Sequence, residues 1–395
     1  MSEANALAIQ APPQRPRLRL PQPVWLILLA LALGLADGLS ATDLVRTFSK
    51  GFGRSLGDFA LILIPSFILA ACLARQTLKG APGVASAIAP VTAAGMVCPD
   101  TSYAALSSVA GNRKLSVAFG SFAGYKLLFP AGPLIVATSL GLDGSSLFFL
   151  GLVLLVPVWL AGEIWSRYRH RPAGGVPDDP AAPVFSLEMA RALAPLILLG
   201  CLLLIGGLTP ASKFPAFEFI TRPKGALLVA AAVAMLGTDP ERWKECFDSA
   251  MSRSASLLLV IGAASAFGAM LTQTLPIQAM IPASTTGVTL LLVVFAVSMA
   301  FKMAYGSSTV TFATVTPVLA PFVHAAGVSP TAAVLAICLG TFLILPTDSF
   351  YWLVRSDALA GRKESEAVTT LGVGALVQAG TGFAVLVALN LLDFV

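Results

Sequence analysis

The sequence predicts an all-α polytopic membrane protein built from two inverted repeats with re-entrant hairpins and discontinuous helices. Three observations point there: an apolar composition, recurring uncharged stretches long enough to cross a bilayer, and landmarks that repeat between the two halves. Of the 395 residues, 56% are hydrophobic and 11% charged, far more apolar than a water-soluble core of this size requires. Uncharged apolar stretches recur at Val24 to Ala36, Phe59 to Ala74, Leu147 to Gly162, Leu193 to Leu208, Ser254 to Leu271 and Val368 to Leu392. Their lengths predict about nine crossings with apolar hairpin-like regions beside them. Lipid demands that each backbone polar group be satisfied internally, and these long segments lack the alternation of an outer-membrane barrel.

Shifting the chain by 199 residues brings Gly38 onto Gly237, Phe48 onto Phe247, Arg54 onto Arg253 and Ser55 onto Ser254, each time just before a long apolar helix. Each half then reads as a helix, a short amphipathic connector, a helix, a Gly/Pro/Ser-rich apolar region, an interrupted helix and a final helix. Arg15, Arg17 and Arg19 before an apolar run, with Leu39-Ser40-Ala41 after it, resemble a signal peptide. The repeat instead makes Val24 to Ala36 a permanent helix.

The predicted organisation is a cytoplasmic tail over 1–23, a first transmembrane repeat over 24–166, a cytoplasmic linker over 167–186, a linking helix and loop over 187–222, and a second repeat over 223–395. An odd number of crossings between matching elements turns the halves upside down to each other. Charge agrees: a cytoplasmic N-terminus places Arg75, Lys79, Arg113, Lys114, Arg167, Arg169, Arg171, Arg242, Lys244, Arg253, Arg355, Arg362 and Lys363 inside. Arg46, Lys50, Arg54, Lys213, Arg222 and Lys224 fall outside.

Helix-end placement of the basic residues accounts for the net charge of +5 without a nucleic-acid partner. Five scattered cysteines, Cys72, Cys98, Cys201, Cys246 and Cys338, form no C-x-x-C pair and read as packing residues. The chain carries no G-x-x-x-x-G-K-[ST] loop, so an ion gradient or the solute's own gradient must supply the energy. No H-E-x-x-H cluster and no Ser-His arrangement at the breaks suggests an enzyme, a resident metal or a cofactor.

Four apolar stretches carry helix breakers at membrane depth: Gly95 to Ser102, Phe129 to Pro133, Tyr305 to Thr309, and Leu345 to Ser349. Proline removes an N–H and glycine lets the backbone open, freeing main-chain groups that hydrocarbon cannot satisfy. Breaks of this kind line polar sites, where helix N-termini face an anion; a single one would merely kink a helix. Met96 to Ser102 and Tyr305 to Val310 are expected to form non-helical tips meeting near mid-membrane.

Asp100 and Asp348 are the acids in these breaks, and Lys126 and Lys302 the lysines away from helix ends. A charge at the bilayer centre costs about 2.5–3.5 kcal/mol on insertion scales, so such groups face an interior pathway. For the lysines the competing explanation is snorkelling, which suits Lys302 better than Lys126. For the acids it is helix capping, against a role in carrying protons that suits Asp348 better than Asp100. His170 falls in the linker and His324 near an external turn, away from both acids.

At these residues the sequence resembles the gluconate permease family, ion-coupled organic-anion transporters with inverted repeats and paired re-entrant hairpins. Ala304-Tyr305-Gly306-Ser307-Ser308-Thr309-Val310 is similar to the family's A-Q-G-S-A-T-V run, Asp348-Ser349-Phe350-Tyr351-Trp352 to N-D-S-G-F-W, and Gly132-Pro133 to the end of P-H-P-G-P. The likeness runs from about Thr42 to the C-terminus. Departures are Cys98-Pro99-Asp100 where the family has two aromatics and Glu, the missing histidine before Gly132, and Thr347 in place of Asn; the pocket around the substrate is expected to differ accordingly.

The resemblance implies proton-coupled symport, by alternating access, of a sugar acid or related hydroxy-carboxylate across the bacterial inner membrane. Asp100, Thr101, Ser102, Lys126, Gly132, Gly306, Ser307, Ser308, Thr309, Thr347, Asp348 and Ser349 are the expected substrate-binding residues, with Asp348 and Asp100 the expected proton carriers. A sodium-coupled carboxylate carrier and a cation/proton antiporter without organic substrate are the alternatives. Relatives of this architecture often pair, which makes a homodimer the expected assembly.

Overall fold

The computed structural model describes residues 21–54, 56–75, 82–107, 109–142, 145–169, 187–208, 214–274, 287–325 and 329–395. Most of the N-terminal tail, Lys79, Lys213, the side chain of His324, and the bulk of the linker, with His170, Asp178 and Asp179, lie outside the described residues.

Every regular element among the described residues is a helix. The first half runs α1 (Gln22–Ala36), α2 (Ala41–Arg54), α3 (Leu56–Leu73), α4 (Pro82–Gly95), α5 (Pro99–Ser107), α6 (Lys114–Leu127), α7 (Gly132–Ser139) and α8 (Ser145–Arg169). After α9 (Leu187–Leu208) and α10 (Pro215–Thr221), the second runs α11 (Pro223–Leu236), α12 (Trp243–Thr274), α13 (Gly287–Tyr305), α14 (Ser308–Ala325), α15 (Pro330–Gly340), α16 (Ser349–Asp357), α17 (Glu364–Val368) and α18 (Gly374–Leu391). The order of long, broken and final helices thus recurs, with the 32-residue α12 standing at the place of α2 and α3. The segment expected as a loop before Pro223 also contains α10, bent by 78° from α11.

Among the described residues five helical spans are long and apolar enough to cross a membrane, six if the bent pair α10–α11 counts as one. Shorter apolar helices accompany them: Pro23–Ala36, Phe59–Leu73, Leu193–Gly206, Ser308–Val323 and Pro330–Gly340. Burial sorts the spans by role. The apolar window of Gly111–Ser139 is 100% buried, while those of Leu147–Arg169 and Gly287–Tyr305 are 28% buried. The latter two expose Leu152, Val153, Val156 and Leu160, and Leu292 and Val293, large apolar side chains that suit a lipid-facing surface. They form the lipid face, and α6 with α7 forms the centre.

Amphipathic α2 puts Leu44, Phe48 and Phe52 at four-residue spacing towards α12, where Phe52 fills the space beside Gly262, and turns Asp43 and Arg46 outward. Elsewhere α4 packs on α6 and α13 on α15; α6 packs on α8 and α15 on α18. The short helices that follow the second break of each half cross over: α7 leans on α14 and α15, and α16 on α5 and α6. This interlock draws all four breaks together. All five cysteines are free, four of them buried, as packing residues are.

Candidate functional site

Local sequence sets each break. Gly95 ends α4, Val97 takes a positive φ of 47°, and Pro99 starts α5, a position where its missing N–H costs nothing. The first tip is therefore shorter than expected: residues 96–98 leave the helix, and Thr101 and Ser102 lie inside α5. Between α6 and α7, residues 128–131 are non-helical. Gly306 takes φ 71° between α13 and α14, and a Cβ there would lie 2.0 Å from the carbonyl oxygen of Thr347. Only glycine permits that approach. After α15 the chain is extended or turning until Asp348 caps α16, its Oδ1 accepting from the Phe350 N–H at 3.1 Å.

The buried charges meet at these breaks. Lys302 is 1% exposed; its ammonium donates to the carbonyl oxygen of Gly306 and forms an ion pair with Asp348 Oδ2. Burial excludes snorkelling as the explanation of Lys302, because a snorkelling lysine keeps its head in water. Asp348 combines a cap with an ion pair, so capping alone does not describe it. Across the gap, Ser349 Oγ donates to Asp100 Oδ2 at 3.1 Å, joining the fourth break to the first, while Asp100 Oδ1 is buried without a partner among the described residues.

Lys126 is wholly buried. Its Nζ donates to the carbonyl oxygen and the hydroxyl of Thr341, both at 2.8 Å, and sits 4.9 Å from the Phe122 ring centroid and 4.8 Å from that of Phe312. No carboxylate lies within ion-pair reach among the described residues; two acceptors and two ring faces hold the charge instead. Phe122 bridges the lysines, with Lys302 Nζ 5.9 Å from the same ring. Beside it, Tyr125 and Thr309 share a hydroxyl hydrogen bond of 2.6 Å that ties α6 to the first turn of α14.

Of the expected site residues, the structure brings together Asp100, Lys126, Gly306, Thr309, Thr347, Asp348 and Ser349, with Gly132 beside Phe312 at the start of α7. Ser307 and Ser308 begin α14, Ser307 half-buried and Ser308 buried. Thr101 is half-buried on α5. Ser102 turns away, its hydroxyl bonded to Ser121 at 3.0 Å between α5 and α6. Lys302, Tyr125, Thr341, Phe122 and Phe312 complete the cluster and were not among the expected substrate-binding residues. Adjacency to Lys126 is the signal that would have found Tyr125. Thr341 acts partly through its main-chain oxygen, which no residue type announces.

A cavity of about 330 Å³ lies elsewhere, at the far end of α7, lined by Leu134, Thr138, Phe219, Arg222 and Lys224 among others. Among the described residues no group of three or more His, Cys, Asp or Glu side chains could hold a metal ion.

Residues 16–91 and 114–392 match the model of the GntP family permeases. The chain is 25% identical over 394 residues to the low-affinity gluconate transporter of Escherichia coli K12, covering 87% of this chain and 88% of that one. It is 24% identical over 383 residues to the D-serine transporter DsdX of Escherichia coli O6:H1, covering 84% and 85%. Its fold is similar to the crystal structure of the Alcanivorax borkumensis YdaH transporter, with a TM-score of 0.67, 16% identity, and coverage of 93% of this chain and 98% of that one. The family match passes over residues 92–113, the stretch that carries Asp100 and departs from the family's first hairpin. Matched on both sides of that gap and over most of its length, this multi-pass chain belongs to the GntP family of permeases.

Proposed function

We propose that this permease is a secondary active transporter that takes up a small hydroxylated organic acid with protons, by alternating access across the bacterial inner membrane. The observation that carries the reading is the cluster itself: two buried lysines and two carboxylates held where four helix breaks converge. Ion pairing with Asp348 and hydrogen bonds to Thr341 hold the lysines in place, and a buried positive charge of this kind suits an anionic solute better than a cation. The first turn of α14 adds main-chain N–H groups without helical partners and the hydroxyls of Ser307, Ser308 and Thr309. Gly132, Gly306, Thr347 and Ser349 border the same space, Lys126 adds its charge from behind Thr341, and Asp348 and Asp100 are the groups able to take up a proton.

Similarity to a gluconate transporter and to a D-serine transporter supports the substrate class, since each solute carries a carboxylate and at least one hydroxyl. The recurring helix order and crossed packing of α7 and α16 support two inverted repeats; the Lys and Arg distribution supports a cytoplasmic N-terminus, and a homodimer is proposed from the resemblance alone. Proteoliposomes containing the purified chain test the function. An inward proton gradient is expected to drive accumulation of labelled gluconate or D-serine, a protonophore to abolish it, and choline in place of sodium to leave it unchanged. Dependence on sodium would overturn the proton coupling, and failure to carry either solute would overturn the substrate class.

A further inference from the structure

Lys302 and Asp348 are placed for a task beyond holding the fold together. Lys302 is 1% exposed and Asp348 5%, yet Pro346, Thr347 and Ser349 on either side of Asp348 are exposed. Exposed polar main chain and hydroxyls of this kind face water, because hydrocarbon cannot satisfy them. The Asp348 carboxylate is thus the layer between that accessible face and the ammonium. Its two oxygens are bound differently: Oδ1 caps α16 through the Phe350 N–H, and Oδ2 alone holds Lys302. Lys302 keeps a second acceptor, the carbonyl oxygen of Gly306, so it stays anchored if Asp348 leaves.

We infer that Lys302 is the counter-charge of the transported carboxylate, kept occupied by Asp348 until substrate and proton arrive together. The inference deepens the proposed transport function and rests on it. In the exchange, the substrate carboxylate takes the place of Asp348 Oδ2 at Lys302 Nζ, and one proton from solvent binds Asp348, converting its carboxylate to the neutral acid. Release runs in reverse. The ion pair is neutral before the exchange, and the new pair beside a neutral acid is neutral after it. One proton therefore travels with each monovalent anion.

The surroundings enforce this count. The charged groups around Asp348 are Lys302 from α13, Asp100 from α5 and Lys126 from α6, with Arg253 of α12 acting on Asp100. Within the buried cluster Lys302 and Lys126 balance Asp348 and Asp100, Arg253 lying half-buried outside it against the Phe67 ring, and a third carboxylate without a proton would add an unmatched charge there, which membrane interiors disfavour. Asp348 loses its cation in the exchange while Asp100 keeps Ser349, so the proton falls to Asp348.

Binding of labelled gluconate and of D-serine to the purified protein, measured over a range of pH together with proton uptake on mixing, tests the exchange. For gluconate, the monovalent anion of the two probes, wild-type affinity is expected to fall about tenfold per pH unit on the alkaline side, with one proton taken up per gluconate bound. Asp348→Asn should bind without pH dependence and without proton uptake, and Lys302→Gln should lose affinity at least about tenfold. Lys302→Met combined with Asp348→Leu removes both charges in apolar form and keeps the fold testable if a single variant fails to assemble; it should bind neither probe. A wild-type pH slope in Asp348→Asn overturns the inference and moves the proton to Asp100. Wild-type affinity in Lys302→Gln or in the double variant overturns it as well. Failure of the wild-type protein to bind either probe, seen before any variant is made, overturns the transport reading and this inference with it.

Discussion

Replacing Gly306 by alanine probes the contact on which the cluster is built. The residue sits at φ 71°, and an added Cβ would lie 2.0 Å from the Thr347 oxygen, 2.6 Å from the Thr347 carbonyl carbon and 3.2 Å from the Asp348 nitrogen. The left-handed conformation alone costs a side chain about 1–2 kcal/mol. Ordinary contact also requires the 346–348 segment to retreat by about 1 Å, and overpacking of that kind costs about 1–3 kcal/mol. Together they destabilise by about 2–5 kcal/mol, with an expected drop of about 3 °C or more in apparent melting temperature in detergent. Gly380→Ala is the control: nothing lies within 4 Å of its Cβ position on α18, and the change should be neutral or stabilising by about 0.4–1 kcal/mol. Thr347 and Asp348 would move away from Lys302 in Gly306→Ala, so affinity for gluconate or D-serine should fall with stability. A Gly306→Ala protein that melts and binds like wild type would refute the reasoning, because the third and fourth breaks would then not depend on their contact.

Lys126→Met should leave the melting temperature within a few degrees, since losing an unpaired buried charge offsets the donors taken from Thr341; uptake in proteoliposomes should fall at least about tenfold, and normal uptake would remove Lys126 from the site. Tyr125→Phe is expected to destabilise by about 1 kcal/mol, and Thr309→Val by about 1–3 kcal/mol because it leaves the buried Tyr125 hydroxyl unpaired. Denaturation of both and of the double variant should show coupling, the pair costing less than the sum, whereas additivity would mean that the 2.6 Å contact is not energetically shared. Ser307→Ala should weaken substrate binding without lowering stability, and unchanged affinity in a binding assay would take the start of α14 out of the substrate's reach.

The four breaks were legible because glycine and proline act on the backbone within a residue or two of themselves. The positive φ at Gly306 and the start of α16 after Asp348 follow from local chemistry. The same rules misjudged the first tip, where Pro99 opens a helix; proline marks a helix start as readily as an end, and its neighbours do not say which. Three-dimensional pairing was not legible. Nothing in the sequence relates Lys302 to Asp348, 46 residues apart, because hydropathy places a helix in the membrane without fixing which side it turns inward. Lys126 and Thr341, 215 residues apart, meet through a main-chain oxygen as well as a hydroxyl. The crossed packing of α7 and α16 that makes both meetings possible is a tertiary property of the whole chain.

A buried ion pair is poor value as a device for stability, since desolvating both charges costs about as much as their attraction returns. Lys302 and Asp348 are better understood together with the break beside them. Opening the helix at Gly306 frees a carbonyl oxygen in the protein interior, and Lys302, four residues earlier, satisfies it. The ammonium carries three donors: one serves Gly306, one serves Asp348, and the geometry accounts for no third acceptor among the described residues. A guanidinium would present a fixed planar fork better suited to holding one carboxylate in both hands, whereas an ammonium is a point charge that can keep one partner while changing another. Lys302→Arg should therefore separate holding from exchanging. It preserves the charge and should still bind gluconate or D-serine, but a firmer grip on Asp348 should slow turnover in proteoliposomes, and wild-type turnover would show that the choice of lysine is immaterial.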